Sequence, residues 1–442
     1  MPQQPGDALT FTARLDQLPV TVLHAFAIGL CALGFAFDLL EVALGPIMSA
    51  VFSEPGHAAA PLQLSMLLAS MYVGAAVGTP LLGWIADRHG RRVTMIGVLL
   101  MLAFASLGGA FSDGIGALTA WRCLAGVALG AFPPLMITYL TDLAPAGRRG
   151  IVVLIAVAIG TLGPAAGIFL VRWLGPLQPL GIDGWRWAFI AGGAGAALVA
   201  ILFKALPESP RWLHSKGRMA EAEAALLRLA RSRPLLAAMH AGPAAETPAG
   251  ANPMSGARRW SLVAALFFLT PWSTVAFPLL SGAMLAQKGV RLADALLYIG
   301  LSMFGPLVGI LLAAAGIDRL GRRTAMVLCL AAMGGFGMLF VASVTPLWLV
   351  CGSFGFALFG NLLVTVLNLY AAEAFPTNER AMAIAGAWAV NRAGAAVAPL
   401  LLLPLLHSSG LAGMFSVIAV SLLASGALLY AAPAGRQRRS VA

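Results

Sequence analysis

The chain has 442 residues, 60% hydrophobic and only 10% charged, with a mean hydropathy of +0.88 and a formal net charge of +11. Soluble globular domains carry about 25% charged residues, so this composition excludes one and points to a chain embedded in a bilayer. The apolar runs are continuous rather than alternating, which excludes a transmembrane β-barrel.

A bilayer core about 30 Å thick asks for roughly 20 apolar residues per helix. Twelve such segments are predicted, near 20–48, 62–85, 93–111, 116–140, 151–174, 187–206, 260–285, 293–315, 323–343, 346–370, 382–404 and 410–431. The stretch ahead of Pro19 is polar and holds no cleavable apolar core, so no signal peptide is expected to be removed. Span 1 contains "GFAFDLLEVALG" (34–45), with Asp38 and Glu41 at i and i+3 on one helical face. An ionised carboxylate near the bilayer centre costs at least about 2.5–3.5 kcal/mol, so both acids are functional candidates. Two carboxylates this close resist joint ionisation, and one is expected to hold a proton. Span 2 carries Tyr72, and the loop after it reads "DRHGRR" (87–92). Span 4 carries Arg122, which precedes Leu140 by as many positions as Asp38 follows Val20. Both then lie roughly 27 Å from the same surface and are expected to pair. The alternative role for that pair is a permanent ion pair fixing span 1 against span 4. "YLTDLAPAGRRG" (139–150) follows, and span 5 contains "GTLGP" (160–164).

A polar segment over 207–259 separates the two sets of six spans. It starts with "PESPRWL" (207–213), continues as an amphipathic helix (217–233), and ends in a flexible linker. Two motifs then recur at one spacing. "DRHGRR" begins at 87 and "DRLGRR" at 318; "YLTDLAPAGRRG" begins at 139 and "YAAEAFPTNERA" at 370, which is the same offset. A shared offset means a duplicated six-helix unit: residues 1–206, a connecting loop over 207–259, and residues 260–442. The expected fold is all-α, twelve transmembrane helices in two pseudo-symmetric bundles. Position 269, the match of Asp38, is leucine, so the acids are not needed to build the repeat.

In the second half Arg392 lies about 11 residues, roughly 16 Å, from the start of its span, near the midplane. Asn361 reaches a similar depth, and Asn391 adjoins Arg392. A guanidinium fork with amide donors suits a carboxylate. Tyr72, Trp272 and Trp388 are the aromatic candidates for the same site, with Phe35 and Phe37. Arg392 could instead gate the bundle by pairing with an acid of the other half. His24 and His407 stand near span ends and are expected at the surface. Cys31, Cys123, Cys329 and Cys351 have no paired spacing and read as small core residues, with no metal set.

With both termini placed in the cytoplasm, 22 of the 28 basic residues fall on that side. This positive-inside pattern directs the excess charge to lipid headgroups and excludes a nucleic-acid partner. Beneath the spans, Asp87, Arg88, Arg91, Arg92, Asp142 and Arg149 in one half, and Asp318, Arg322, Glu373 and Arg380 in the other, form a candidate cytoplasmic gate.

These residues carry a family resemblance. "GWIADRHGRR" (83–92), Arg122 with Gly126 and Gly130, "GWRWAF" (184–189) and "PESPRWL" resemble the signatures of the major facilitator superfamily, in particular sugar porters and the aromatic-acid and other metabolite:proton symporters. Two departures stand out: Ala314 where the first repeat has Gly83, and "GTLGP" with Gly167, which is similar to a motif of antiporters. The resemblance implies that a span 1 acid and Arg122 form the proton-coupling pair, and that Arg392 is the substrate arginine of the aromatic-acid group. It implies a monomeric carrier in a bacterial inner membrane, driven by the proton gradient without a cofactor. The expected cargo is a small organic anion, aromatic or otherwise, taken up with protons. Proton-coupled export of organic cations or drugs and sugar:proton symport are the alternatives, and a transceptor that moves no solute is a third. The sugar reading is weakened by "LTPWSTVAFP" (269–278) where that subfamily has a glutamine pair. Enzyme and phosphate-loop motifs are absent, so neither catalysis nor ATP-driven transport is expected.

Overall fold

The structure is a computed structural model that describes residues 5–54, 59–236, 256–316, 321–375 and 377–431. Its apolar helices are α1 (Val22–Val51), α2 (Pro61–His89), α3 (Arg91–Ala110), α4 (Ile115–Leu143), α5 (Ala146–Leu174) and α6 (Gly184–Ala205), then α7 (Gly256–Gln287), α8 (Leu292–Ala314), α9 (Arg322–Ala342) and α10 (Pro346–Ala374). The last apolar stretch, Met382–Tyr430, is two helices, α11 (382–409) and α12 (411–430). The sequence predicts a loop between them, but Gly410 alone turns the chain, at φ 68°, a conformation glycine takes without steric cost.

Glycine and proline decide where the helices break. α4 is interrupted after Leu129, ahead of Pro133 and Pro134, and α5 after Gly160, ahead of Pro164. In the other half α7 breaks at Thr270 and Val275 around Pro271, and α8 after Ser302 ahead of Pro306. A proline removes the donor that the carbonyl four residues earlier would use, so each break leaves backbone oxygens to be satisfied otherwise.

The repeat is visible in the packing. A Cβ on Gly74 would run into the carbonyl of Cys123, and one on Gly78 into that of Val127, so α2 and α4 meet backbone to backbone. Gly305 and Gly309 meet the carbonyls of Phe354 and Leu358 in the same way, and each of these four residues is the repeat match of its counterpart in the first half. Small residues of this kind let membrane helices approach closely.

α1–α6 and α7–α12 form the two bundles. One apolar core joins them at the end away from the "DRHGRR" loop, with Leu44, Met48 and Leu64 in the same cluster as Leu280, Met284 and Leu402. α1 packs on α7, α5 on α8, and α2 on α11. Toward the basic loops, the first bundle has a core of its own, including Leu15, Met95, Tyr139, Phe203 and Leu226. Leu226 comes from a helix over Met219–Arg231, which with Pro210–Ser215 covers that end of the bundle. A short strand, β1 (Val20–Thr21), pairs antiparallel with β2 (Pro234–Leu236). The polar N-terminal stretch forms a helix over Pro5–Asp16.

Candidate functional site

α1 carries both acids inward, leaving Asp38 and Glu41 each 1% exposed. Neighbouring glycines make room for this. Gly160 and Gly163 of α5 lie against Phe35 and Ala36, and Gly192 and Gly195 of α6 against Leu40 and Phe37. The "GTLGP" run thus has a packing role on the acid-bearing helix.

Glu41 is the acid that meets Arg122. The Arg122 Nη1 donates to Glu41 Oε2 at 2.7 Å and to the Glu41 carbonyl at 2.8 Å, while Nη2 reaches the Met71 sulfur at 2.9 Å. Ser106 of α3 donates to Glu41 Oε1 and lies 3.0 Å from the Phe189 carbonyl of α6. Depth matching alone places Asp38 here instead. The two acids differ by less than a helical turn, about 4.5 Å of rise, which is less than the uncertainty in where each span begins.

Asp38 takes no part in this pairing. Its Oδ1 is buried without a hydrogen-bond partner, and the positive charge acting on it is Arg392 of α11, in the opposite bundle. Arg392 also acts on Tyr72 of α2, which feels Arg122 as well. The Arg392 guanidinium lies 5.5 Å from the centre of the Trp388 ring and is half-buried. Among the described residues, no hydrogen bond or ion pair engages it.

The other predicted binding residues divide. Asn361 Oδ1 and Trp272 Nε1 are buried and unpartnered, so they have bonding capacity left. Trp388 Nε1 is held by Asn368 at 3.1 Å. Asn391 is committed elsewhere: its Nδ2 donates at 3.0 Å to the carbonyl of Phe267, the oxygen left free because residue 271 is proline. Thr79 does the same for Gly130, four residues before Pro134, at 2.9 Å. The signal is present in the sequence, since an amide or hydroxyl at the depth of a proline-freed carbonyl has an evident acceptor.

At the basic loops, Asp87 pairs with Arg91 at 2.8 Å, Arg322 with Glu373 at 3.1 Å, and Arg88 lies 5.5 Å from the Trp84 ring. Arg149 binds Asp16 at 2.8 Å rather than Asp142, and Asp142 accepts from Ser209 at 2.7 Å. Arg92 donates to the Leu206 carbonyl at 2.6 Å. Asp318 and the Arg380 side chain lie outside the described residues. Three acids join this network without a motif to announce them. Asp16 links Arg149 to Arg211, Glu223 pairs with Arg14, and Glu208 accepts from the Arg92 amide at 2.9 Å, capping α3. A helix that starts at Arg91 needs anionic acceptors, and Glu208 stands directly after the last span of the bundle. The pairs described here lie within one half or tie the first half to the connecting segment, and none of them joins the two halves.

His24 departs from its expected surface position and is 3% exposed. The Thr21 amide donates to its Nδ1, which leaves Nε2–H to donate to the Leu143 carbonyl at 3.2 Å. His407 is exposed as expected.

Comparison with known proteins gives this geometry a family. A profile described as "Sugar (and other) transporter" matches residues 41–432. The niacin transporter NiaP of Acinetobacter baylyi is 24% identical over 95% of this chain and 96% of its own length. The inner membrane metabolite transport protein YgcS of Escherichia coli is 28% identical over 94% and 92%. Among solved structures, the partially occluded inward-open xylose transporter XylE from E. coli superposes with a TM-score of 0.73 at 19% identity, covering 95% of this chain and 99% of that one. The chain is therefore a multi-pass membrane transporter rather than an enzyme, and it belongs to the sugar (and other) transporter family of the major facilitator superfamily.

Proposed function

We propose that the chain is a monomeric proton-coupled symporter that takes up a small organic anion, an aromatic or other carboxylate, by alternating access. The observation that carries this reading is Arg392, a cation between the bundles with no ion-pair partner among the described residues and an aromatic ring beside it. A carboxylate matches the guanidinium fork, and a ring can stack on Trp388 or Trp272. That a relative carries niacin, a pyridine carboxylate, supports the same cargo class. The proton is taken by a carboxylate of α1, with Arg122 holding Glu41 in place. No resident cofactor takes part, since the gradient supplies the driving force. The basic loops and both termini face the cytoplasm of a bacterial inner membrane, in keeping with the positive-inside pattern. The shared core then closes the outer end, and the charge pairs of the basic loops stabilise the outward-facing state when the inner ends approach.

A sugar is the second reading, favoured by the family profile and by the unpartnered Asn361 and Trp272 atoms, which suit hydroxyls. The test is uptake into proteoliposomes of a panel containing nicotinate, benzoate, lactate, xylose and an organic cation, with an inward proton gradient imposed and then collapsed. Carboxylate uptake that disappears with the gradient, and is lost in Arg392→Ala, is expected. Gradient-driven xylose uptake would replace the cargo, cation extrusion would reverse the direction, and absence of counterflow for every solute would mean that nothing is carried.

A further inference from the structure

The two buried acids sit in different mechanical situations. Glu41, Arg122 and Ser106 all belong to the first bundle, and the Arg122 contact is doubled by the Glu41 carbonyl, so motion of one bundle against the other leaves these bonds intact. Asp38 faces a cation of the second bundle, and any rocking motion changes their separation. The charged and titratable groups around it are few. Glu41 is on its own helix, Arg392 comes from α11, Tyr72 stands beside Arg392 on α2, and Arg122 of α4 is engaged by Glu41. Next to this stretch of α1, α5 and α6 place glycines against Phe35, Ala36, Phe37 and Leu40, and α7 places Leu279 against Gly45.

We infer that Asp38 and the transported anion exchange on Arg392: the anion takes the guanidinium only as Asp38 takes a proton, so this inter-bundle pair, rather than Glu41 with Arg122, couples cargo to protons. The inference rests on the organic-anion reading above. Charge decides it. With ionised Asp38 facing Arg392 and no cargo, the net charge between the bundles is zero. With protonated Asp38 and a carboxylate on Arg392, it is zero again. Anion without proton leaves two negative charges against one cation, and proton without anion leaves the cation alone. Both singly loaded states bury net charge in a medium of low dielectric, which opposes bundle movement and makes the loading concerted. The unpartnered Asp38 Oδ1 has room in its bonding for the incoming proton, whereas both Glu41 oxygens are already engaged.

The test uses the purified full-length chain in lipid nanodiscs, with nicotinate and benzoate as probes. Above the titration of Asp38, in lightly buffered solution, the wild type should take up about one proton per anion bound, and over the same range the Kd should rise about tenfold per pH unit. Asp38→Asn should bind the same probe with no proton uptake and a Kd flat in pH. The wild-type proton count needs no variant, so the inference stays testable if Asp38→Asn does not fold. Anion binding without proton uptake by the wild type, or a pH dependence retained in Asp38→Asn, overturns the exchange while leaving the anion reading intact. Absence of any binding of either probe by the wild type at every pH removes the anion reading and the exchange with it.

Discussion

The two bundles pack the same glycines against the same helix backbone, yet surround that packing with different chemistry. Asp38, Glu41 and Arg122 stand in the first, where the matched positions of the second hold Leu269, Trp272 and Ser353. Conversely, Asn361, Trp388, Asn391 and Arg392 of the second correspond to Gly130, Val157, Gly160 and Thr161. The duplicated part is the backbone contact, which tolerates little change because a Cβ there strikes a carbonyl. The side chains around it were free to diverge. One bundle came to hold acids with an internal counter-ion, and the other a cation and uncommitted polar atoms.

Substitutions at matched positions can break or sharpen this comparison. Arg122→Ala leaves Glu41 buried without its counter-ion and should cost about 3–5 kcal/mol, read as a large drop in melting temperature in detergent. Ser353→Ala, at the matched position, removes only a hydroxyl bonded to the Leu349 carbonyl at 2.9 Å and should cost about 1 kcal/mol or less. Comparable losses would mean that the Glu41 pair is not the internal fixture described. Gly78→Val should cost more than Gly309→Val, because an added Cβ would come closer to the Val127 carbonyl oxygen in the first half than to that of Leu358, at 2.8 Å, in the second; equal melting shifts would show that the two contacts yield alike. Asn391→Leu orphans the Phe267 carbonyl and should cost about 1–3 kcal/mol, with α7 loosened in hydrogen exchange. Arg392→Met breaks no hydrogen bond but takes from buried Asp38 the cation acting on it, so it should cost less stability than Arg122→Ala, while transport collapses.

Much of the fold is legible in the sequence because its causes are local or repeated. Long apolar runs define spans without any knowledge of neighbours, and two motifs at one offset reveal duplication even where most residues have changed. The site is legible in part. A carboxylate or guanidinium inside a span announces itself by cost, so Asp38, Glu41, Arg122 and Arg392 all stand out. Their pairing does not, because facing direction depends on a rotation of about 100° per residue, and a count of depth carries no rotation. Asp16 and Glu208 are hidden for another reason. They lie in polar stretches where acids are common, and only the folding of those stretches onto α3 and α5 makes them specific partners. His24 is misplaced by the sequence because closeness to a span end suggests closeness to water, whereas its ring is tied to Thr21 and to the Leu143 carbonyl at the end of α4.

The ties around β1 and β2 determine where this protein can be cut. Val20 pairs with Leu236, the Val22 amide donates to the Arg233 carbonyl at 2.9 Å, and Arg14 holds Glu223, so the N-terminal bundle closes on its own tail by Leu236. The second bundle resumes at Gly256, and a nick anywhere between 236 and 256 severs none of the described hydrogen bonds. Co-expressed as two polypeptides, 1–240 and 250–442 should therefore assemble through the apolar core that the two bundles share. Such a split carrier would let each half be labelled, titrated or replaced separately, with Glu41 and Arg122 on one polypeptide and Arg392 on the other.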